Sequence, residues 1–467
     1  MYLGLDLGTT NVKAVVVDGR GKTIATASVP VRLIHLENDG VEQDIEEIWA
    51  ATRSAIEQLR VKQSGLDVLA IGVSSQGGAM QILDGQDRPI GRVISWLDGR
   101  GRRFDERITL QLGEELARRT GHARSIMALG QLLRLRKESP GLLSPPCRIG
   151  FVGDIIVGRL CGRRAHDGTS LSCALLYNPQ TMAADRLMLD SVGLGQEQLP
   201  ELMSVREPAG GLKDEVARRV GLAPGIPVSP AVHDQYASAL CVGATGDGDV
   251  MFGAGTAWVI LAVAKELMRP MAGMGFVCTH VAEGMYGQIV SLLNGGSAIN
   301  WAMNLAGNGP GDVDGVLEET PAGCEALRCW PFFAEGEARF EGLGLRHGPA
   351  HVLRAVVEGM CLELGRFLEM LEVRPKRLIM CGGASGSRLT PGIVADVTGM
   401  RVVCAEEAAT SAIGAGIIAR GLVEKSTRLS EIAGEMGVAV RPVMPGGNGQ
   451  MYRGMLRDYV ALLKEAK

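Results

Sequence analysis

From Met1 to about Asp18 apolar positions run through Leu3, Leu5 and Leu7, break at Gly8-Thr9-Thr10, and resume from Val12 to Val17. That pattern predicts strand, tight turn, strand, with one inward carboxylate at Asp6. Gly19 to Lys22 reads as a second turn, and Thr23 to Val31 as a third strand. Between Asp44 and Arg60 the period changes to that of a helix, with Ile45, Ile48, Trp49, Thr52 and Ile56 on one face. Val68 to Ser74 is apolar on both faces, as in a central buried strand, and Arg92 to Trp96 predicts another. Helices are expected over Arg103 to Arg119, Leu129 to Lys137, and Leu212 to Val220 closed by Gly221. Ile226 to Val232 is a strand that runs into a Gly- and Ala-rich helix beginning at His233-Asp234-Gln235.

The second half repeats the opening. Strands are expected near Val250, Trp258 and Gln288, and helices over Ser297 to Leu305 and His351 to Val373. A strand at Arg377 to Met380 leads into Cys381-Gly382-Gly383-Ala384, followed by a strand at Arg401 to Cys404 and a helix over Thr410 to Arg420. The alternation of strands and helices predicts an α/β protein. A short Gly-rich boundary near Gly243 to Gly248 predicts two abutting domains, 1–244 and 245–467, that enclose a cleft.

Composition narrows the class. The 467 residues are too many for one ordinary core. Hydrophobic residues make up 46%, aromatic residues only 4%, and there are 64 glycines, which suits closely packed α/β layers rather than an aromatic-rich sandwich. The net charge of −4 offers no electrostatic footprint for nucleic acid or an anionic membrane. Ten cysteines without a Cys-x-x-Cys pair read as reduced thiols in a cytoplasmic protein. No signal peptide and no run of membrane-spanning length is expected.

The turn at Gly8-Thr9-Thr10 lets backbone amides approach phosphate oxygens, and the hydroxyls add donors. Asp6 is placed to hold a metal ion bridging those phosphates. The same device recurs at Gly253-Ala254-Gly255-Thr256. Glycine turns join strands in most folds, so either hairpin alone says little; together they suggest a clamp on a nucleotide's phosphates. Asp234, where a strand ends and a helix starts, is either an ordinary helix cap or a general base for a hydroxyl attacking a γ-phosphate. Gln235 beside it is placed to bond the same polyol. Gln76-Gly77-Gly78 and Trp96-Leu97-Asp98 follow strand ends, the edge where α/β sheets bind ligands; core tryptophan and turn-forming Asp-Gly are the bland alternatives. Gly383-Ala384 reads either as a close-approach site for adenine or as a tight turn. His347 and His351 have zinc-pair spacing without a third ligand, so metal binding there is not expected.

Taken in order, these segments resemble the FGGY carbohydrate kinases almost end to end. The resemblance rests on GLDLGTTNVK at the start, EQDIEEIW at Glu42 to Trp49, IGVSSQ at Ile71 to Gln76 and SWLDGR at Ser95 to Arg100. It continues through HDQ at His233 to Gln235, GDVMFGAGTA at Gly248 to Ala257, NGGSAINW at Asn294 to Trp301, HVLRAVVEG at His351 to Gly359 and CGGASGS at Cys381 to Ser387. The resemblance implies two actin-like, ribonuclease-H-type domains flanking a catalytic cleft, ATP with Mg2+, and a small sugar or polyol as acceptor. It implies Asp234 as base, and a first phosphate loop of Asp6, Gly8, Thr9, Thr10 and Lys13. It also implies a second loop of Gly253, Gly255 and Thr256, with Gly296, Asn300, Gly383 and Ala384 near the nucleotide. Gln76, Gly77, Gly78, Trp96, Asp98 and Gln235 would line the sugar pocket.

Family members of the xylulokinase kind carry a Met-His pair after the glutamine, and glycerol kinases an Arg-Glu pair; here stand Gly77 and Gly78. Two hydroxyl-reading side chains are thus missing, which predicts either a roomier, less selective pocket or one refilled by another loop, such as the region before Gly130. Among acceptors D-xylulose leads, followed by ribulose, other ketoses, glycerol and erythritol; a homodimer is left open. The rival reading is an actin-like ATPase switch, which needs no polyol pocket.

Overall fold

The computed structural model describes residues 1–63, 65–271, 275–292, 294–307, 313–333 and 336–465. The chain folds into two compact units. The first takes in Met1–Thr245 together with two later segments, Lys265–Gln288 and Ala409–Gly437. The second comprises Gly246–Ala264, Ile289–Ala408 and Val438–Lys467.

The first unit is built on a mixed sheet. Its spatial order is Glu201–Leu202, Ala165–His166, Pro227–His233, Ala70–Ser75, Tyr2–Leu7, Asn11–Val17, Thr23–Pro30. Tyr2–Leu7, Asn11–Val17 and Thr23–Pro30 form an antiparallel meander, as their alternation and turn residues predict. Ala70–Ser75 and Pro227–His233 then add in parallel. The register sets the site: Asp6 lies opposite Lys13 on one side and Ser74 on the other, and Ser75 lies opposite His233. The carboxyl ends of these parallel strands therefore gather residues far apart in sequence.

Two helices show how the unit closes. Ile45–Lys62 starts at Asp44, whose carboxylate accepts the Glu46 N–H, and buries Ile45, Ile48, Ala55, Ile56 and Leu59 against the sheet. Thr410–Val423 packs directly on the central strands. Gly4 and Gly72 permit this contact: a Cβ on either would come within 1.8 Å of a carbonyl oxygen of that helix. The sequence predicts one helix from Arg103 to Arg119, but the chain forms Arg102–Leu112 and Glu114–Thr120. The break falls at Gly113, whose positive φ of 52° no regular helix accommodates.

The second unit repeats the plan. Trp258–Ala264 and Asp249–Ala254 pair antiparallel; Arg377–Cys381 and Val402–Ala405 add in parallel; Val440–Val443 closes the edge antiparallel. The long helix Pro349–Met370 begins with Pro at its first position and buries an apolar face that includes Leu353, Val356, Val357 and Met360.

Candidate active site

In the first unit Asp234 opens the helix Asp234–Cys241, and His233 occupies the cap position without a side-chain capping bond. Asp234 is therefore not spent as a helix cap. Burial pushes its carboxyl up to about 6, against hydrogen bonds from the Gln235 backbone and side chain that pull it down. Burial, rather than the helix dipole, dominates, and leaves a carboxylate more basic than an ordinary one yet ionised at neutral pH.

Asp6 sits in the same unit, buried, with its carboxyl also pushed up to about 6, first by burial and then by the charge of Asp234; Lys13 opposes the shift. Its Oδ1 accepts hydrogen bonds from Ser411 at 3.0 Å and Ser74 at 3.4 Å, and those hydroxyls lie 2.7 Å apart. Ser74 lies in the IGVSSQ segment without having been singled out there, and Ser411 belongs to none of the segments that carry the resemblance.

The turn after the first strand is tied to the residues expected at the sugar. Thr9 Oγ1 donates to Gln76 Oε1 at 3.2 Å, while Gln76 Nε2 donates to Gln43 Oε1 and Gln43 Nε2 donates to the Thr9 carbonyl, both at 2.9 Å. Trp96 Nε1 donates to Thr9 Oγ1. Thr10 is exposed, and Gly8 bonds through its N–H to the Asn11 carbonyl. Gly77 and Gly78 follow Gln76, with side chains of other segments standing over both.

Asp98 has a different setting. Its side chain is 0% exposed. Arg100 and the Val41 N–H bond one oxygen, at 2.6 and 2.9 Å, and Gln131 and the Arg100 N–H bond the other, both at 3.0 Å. Burial would raise this carboxyl, but those hydrogen bonds and the Arg100 charge hold it below its usual range. The carboxylate holds its loop together from within.

In the second unit Ala254, Gly255, Thr256, Gly296, Asn300, Gly383 and Ala384 line one cavity of about 530 Å3, a size typical of small-ligand sites. Gly253 lies in the strand that leads to it. The Gly296 and Ser297 N–H groups bond the carbonyls of Gly255 and Thr256, which pins the turn to the helix Gly296–Leu305. Asp314, which sequence reasoning missed, adds a wall: it accepts from Ser387 Oγ at 2.6 Å and from the Arg388 N–H at 2.8 Å.

These residues fit a nucleotide and a hard cation. A Cβ on Gly383 would meet no protein atom within 4 Å, and one on Gly255 only the Ala257 oxygen at 3.9 Å, so both glycines leave room that a ligand can fill. Asp6 is buried and feels the charge of the half-buried Asp234, an arrangement a cation relieves; Mg2+ commonly takes only one or two protein carboxylates beside phosphate oxygens and water. Among the described residues no cluster of three or more His, Cys, Asp or Glu forms a metal cage, at His347 and His351 or elsewhere. The cysteines are all free thiols. No helix of the described residues is long and apolar enough to cross a membrane.

Two mixed sheets thus carry these groups, one ending in a carboxylate at a strand-to-helix junction and the other beside a glycine-lined cavity. The chain belongs to the FGGY family of carbohydrate kinases: residues 1–241 match the family's N-terminal domain and 328–420 its C-terminal domain. It is 26% identical over 425 residues to a xylulose kinase of Escherichia coli, covering 86% of each chain. It is 27% identical over 440 residues to an L-fuculokinase of the same organism, covering 89% of this chain and 91% of that one. A crystal structure of a xylulose kinase from Brucella ovis superposes with a TM-score of 0.92 at 22% identity, covering 100% of this chain and 99% of that one. It is thus an ATP-dependent sugar kinase, of a family that uses ATP with a metal ion.

Proposed function

We propose that this kinase phosphorylates a hydroxyl of a small ketose or polyol, with a pentulose such as D-xylulose as the leading acceptor. The observation that carries the reading is Asp234: a half-buried carboxylate at a strand-to-helix junction, not consumed as a cap, and poised near neutrality. Such a group accepts the proton of a bound hydroxyl as that oxygen attacks phosphorus. Gln235 fixes the carboxylate and offers a second polar contact to the polyol. The glycine-lined cavity takes the nucleotide, with Gly255 and Thr256 toward its phosphates and Gly383 and Ala384 toward its base. Asp6 would hold Mg2+, which neutralises phosphate charge when bound. Ser74 and Ser411 orient Asp6, and Thr9, through Gln76 and Trp96, links the first phosphate loop to the acceptor. The free thiols suit a reduced cytoplasm, where ATP is supplied. The xylulose kinases and L-fuculokinase among its relatives support a ketose, and glycerol or a tetritol is the next class to test.

The test is ATP consumption with and without D-xylulose, L-xylulose, ribulose, fuculose, glycerol and erythritol, repeated with Asp234→Asn. Turnover should depend on one or more of these acceptors, and Asp234→Asn should lower kcat about 10²–10⁴-fold with ATP still bound. Near-full acceptor-dependent turnover in the variant would remove Asp234 as base. A parent active only on acids or aldoses would remove the ketose assignment.

A further inference from the structure

The bare segment Gly77-Gly78 is covered by side chains from elsewhere in the first unit. A Cβ on Gly77 would lie 2.3 Å from Cδ2 and 2.5 Å from Nε2 of His233, and 2.8 Å from Sγ of Cys173. A Cβ on Gly78 would lie 2.7 Å from Sδ of Met127. A Cβ on Gly77 would thus collide with the packed His233 and Cys173 side chains, while Gly78 is called for by its own positive φ of 74° as well as by the Met127 side chain standing over it.

His233 is held there from its backbone. Its N–H donates to Thr169 Oγ1 at 2.9 Å, and that hydroxyl donates onward to the buried Asp167 carboxylate at 2.6 Å. The ring meets Tyr236 edge-on at 6.1 Å. Its Nδ1 is buried without a hydrogen-bond partner, while Nε2 lies 3.5 Å from Oδ1 of Asp234. The tautomer that avoids burying a free N–H carries its proton on Nε2, toward Asp234. A hydroxyl oxygen about 2.8 Å from both atoms would accept from Nε2 and donate to Asp234. Burial drives the imidazole down to about 4, so it is a neutral donor that does not offset the charge of the base.

Met127 reaches Gly78 at a conformational cost. It has a left-handed φ of 57°, which is rare for a long side chain, directly before the helix Ala128–Glu138. Strained backbone of this kind concentrates at functional sites, and a thioether adapts its shape to what it touches.

We propose that His233 and Met127 read the acceptor in this kinase: His233 holds the reacting hydroxyl jointly with Asp234, and Met127 forms the soft wall that limits acceptor size. This rests on the sugar-kinase reading of the same site. Of the two pockets the sequence allows, roomier or refilled, it takes the refilled one, with selectivity coming from the strand end Pro227–His233 and the loop before Gly130.

The test combines kinetics with a coupling measurement. His233→Ala should raise the acceptor KM about 10–100-fold with the ATP KM unchanged, and His233→Gln, which keeps a donor, should recover part of it. Met127→Ala should shift the ratio of kcat/KM toward six-carbon over five-carbon acceptors. Gly77→Ala should lower the melting temperature and acceptor affinity in the parent and cost markedly less in the His233→Ala background, where only the Cys173 contact at 2.8 Å remains. An unchanged acceptor KM in a folded His233→Ala protein would overturn the proposal, as would a Gly77→Ala penalty equal in both backgrounds. If the parent phosphorylated no sugar or polyol, the acceptor assignment would fail, while the Gly77–His233 coupling, read by melting temperature, would still show whether the imidazole fills that space.

Discussion

Trp96 Nε1 donates to Oγ1 of Thr9 at 3.0 Å, and the same hydroxyl donates to Gln76. One threonine thus joins the turn after the first strand to two residues assigned to the acceptor. Trp96→Phe keeps the ring and removes the donor; Thr9→Val keeps the shape and removes the hydroxyl. Each should lower kcat/KM for the acceptor several-fold. Because Trp96 is 37% exposed, the coupling in a double-mutant cycle should fall near the low end of about 0.5–1.5 kcal/mol. Strictly additive effects would show that the two side chains act separately.

What was legible beforehand follows from how local each signal is. Asp6 and the Gly8 turn could be read because an alternating strand, a break and a second strand lie within a few residues. Asp234 could be read as a junction residue, and Gly255 and Gly383 as turns, whereas Gly296 came only with the family resemblance. The partners of these groups could not be read. Ser411 reaches Asp6 across 405 positions, on a helix whose contact with the sheet depends on Gly4 and Gly72 having no side chain. The region before Gly130, which holds Met127, could be offered as a segment to refill the space over Gly77-Gly78, but which side chains stand there, His233 among them, could not be read, because a glycine in sequence does not say which distant side chain occupies its space. Asp98 was open to two readings, a ligand or a turn former. Its place after a strand suggested a ligand, whereas its oxygens are bonded internally by Arg100, Val41 and Gln131.

That setting makes Asp98 a stability residue first. Asp98→Ala would leave the Val41 N–H and Gln131 amide without their acceptor, while Arg100 keeps Glu42 at 2.8 Å. The retained partner reduces the penalty for a broken buried pair to about 2–3 kcal/mol. Calorimetry should show a lower melting temperature for the variant, together with weaker acceptor turnover from a loosened loop. A variant as stable as the parent, with only its acceptor KM raised, would instead make Asp98 a direct ligand.

Gly255 should be important to the nucleotide and indifferent to the fold. A Cβ there has no neighbour nearer than 3.9 Å, so Gly255→Ala fits the protein while filling space assigned to phosphate. The ATP KM should rise about 10–100-fold, reflecting about 1–3 kcal/mol of lost amide–phosphate contact, with the melting temperature nearly unchanged. Unaltered ATP affinity would move the phosphates away from this turn.

His166 gives a pH signature independent of catalysis. It is fully buried at the end of a short strand, stacked on Phe151 at 5.6 Å, with both ring nitrogens unpartnered. Burial, aided by the Arg164 charge, drives its pKa from 6.5 down to about 3. The sign follows directly: below pH 6.5 the unfolded chain binds a proton that the folded one refuses, so stability falls as the pH drops toward 3. His122 and His233, both lowered to about 4, act in the same direction, so the difference between parent and variant isolates His166. His166→Leu removes the titration and keeps an apolar side chain of similar size. Relative to its value at pH 7.5, the variant's stability advantage should grow by about 2 kcal/mol at pH 5. Urea unfolding of both proteins at those two pH values measures it, and equal losses would mean that His166 gains a proton without penalty in the folded protein.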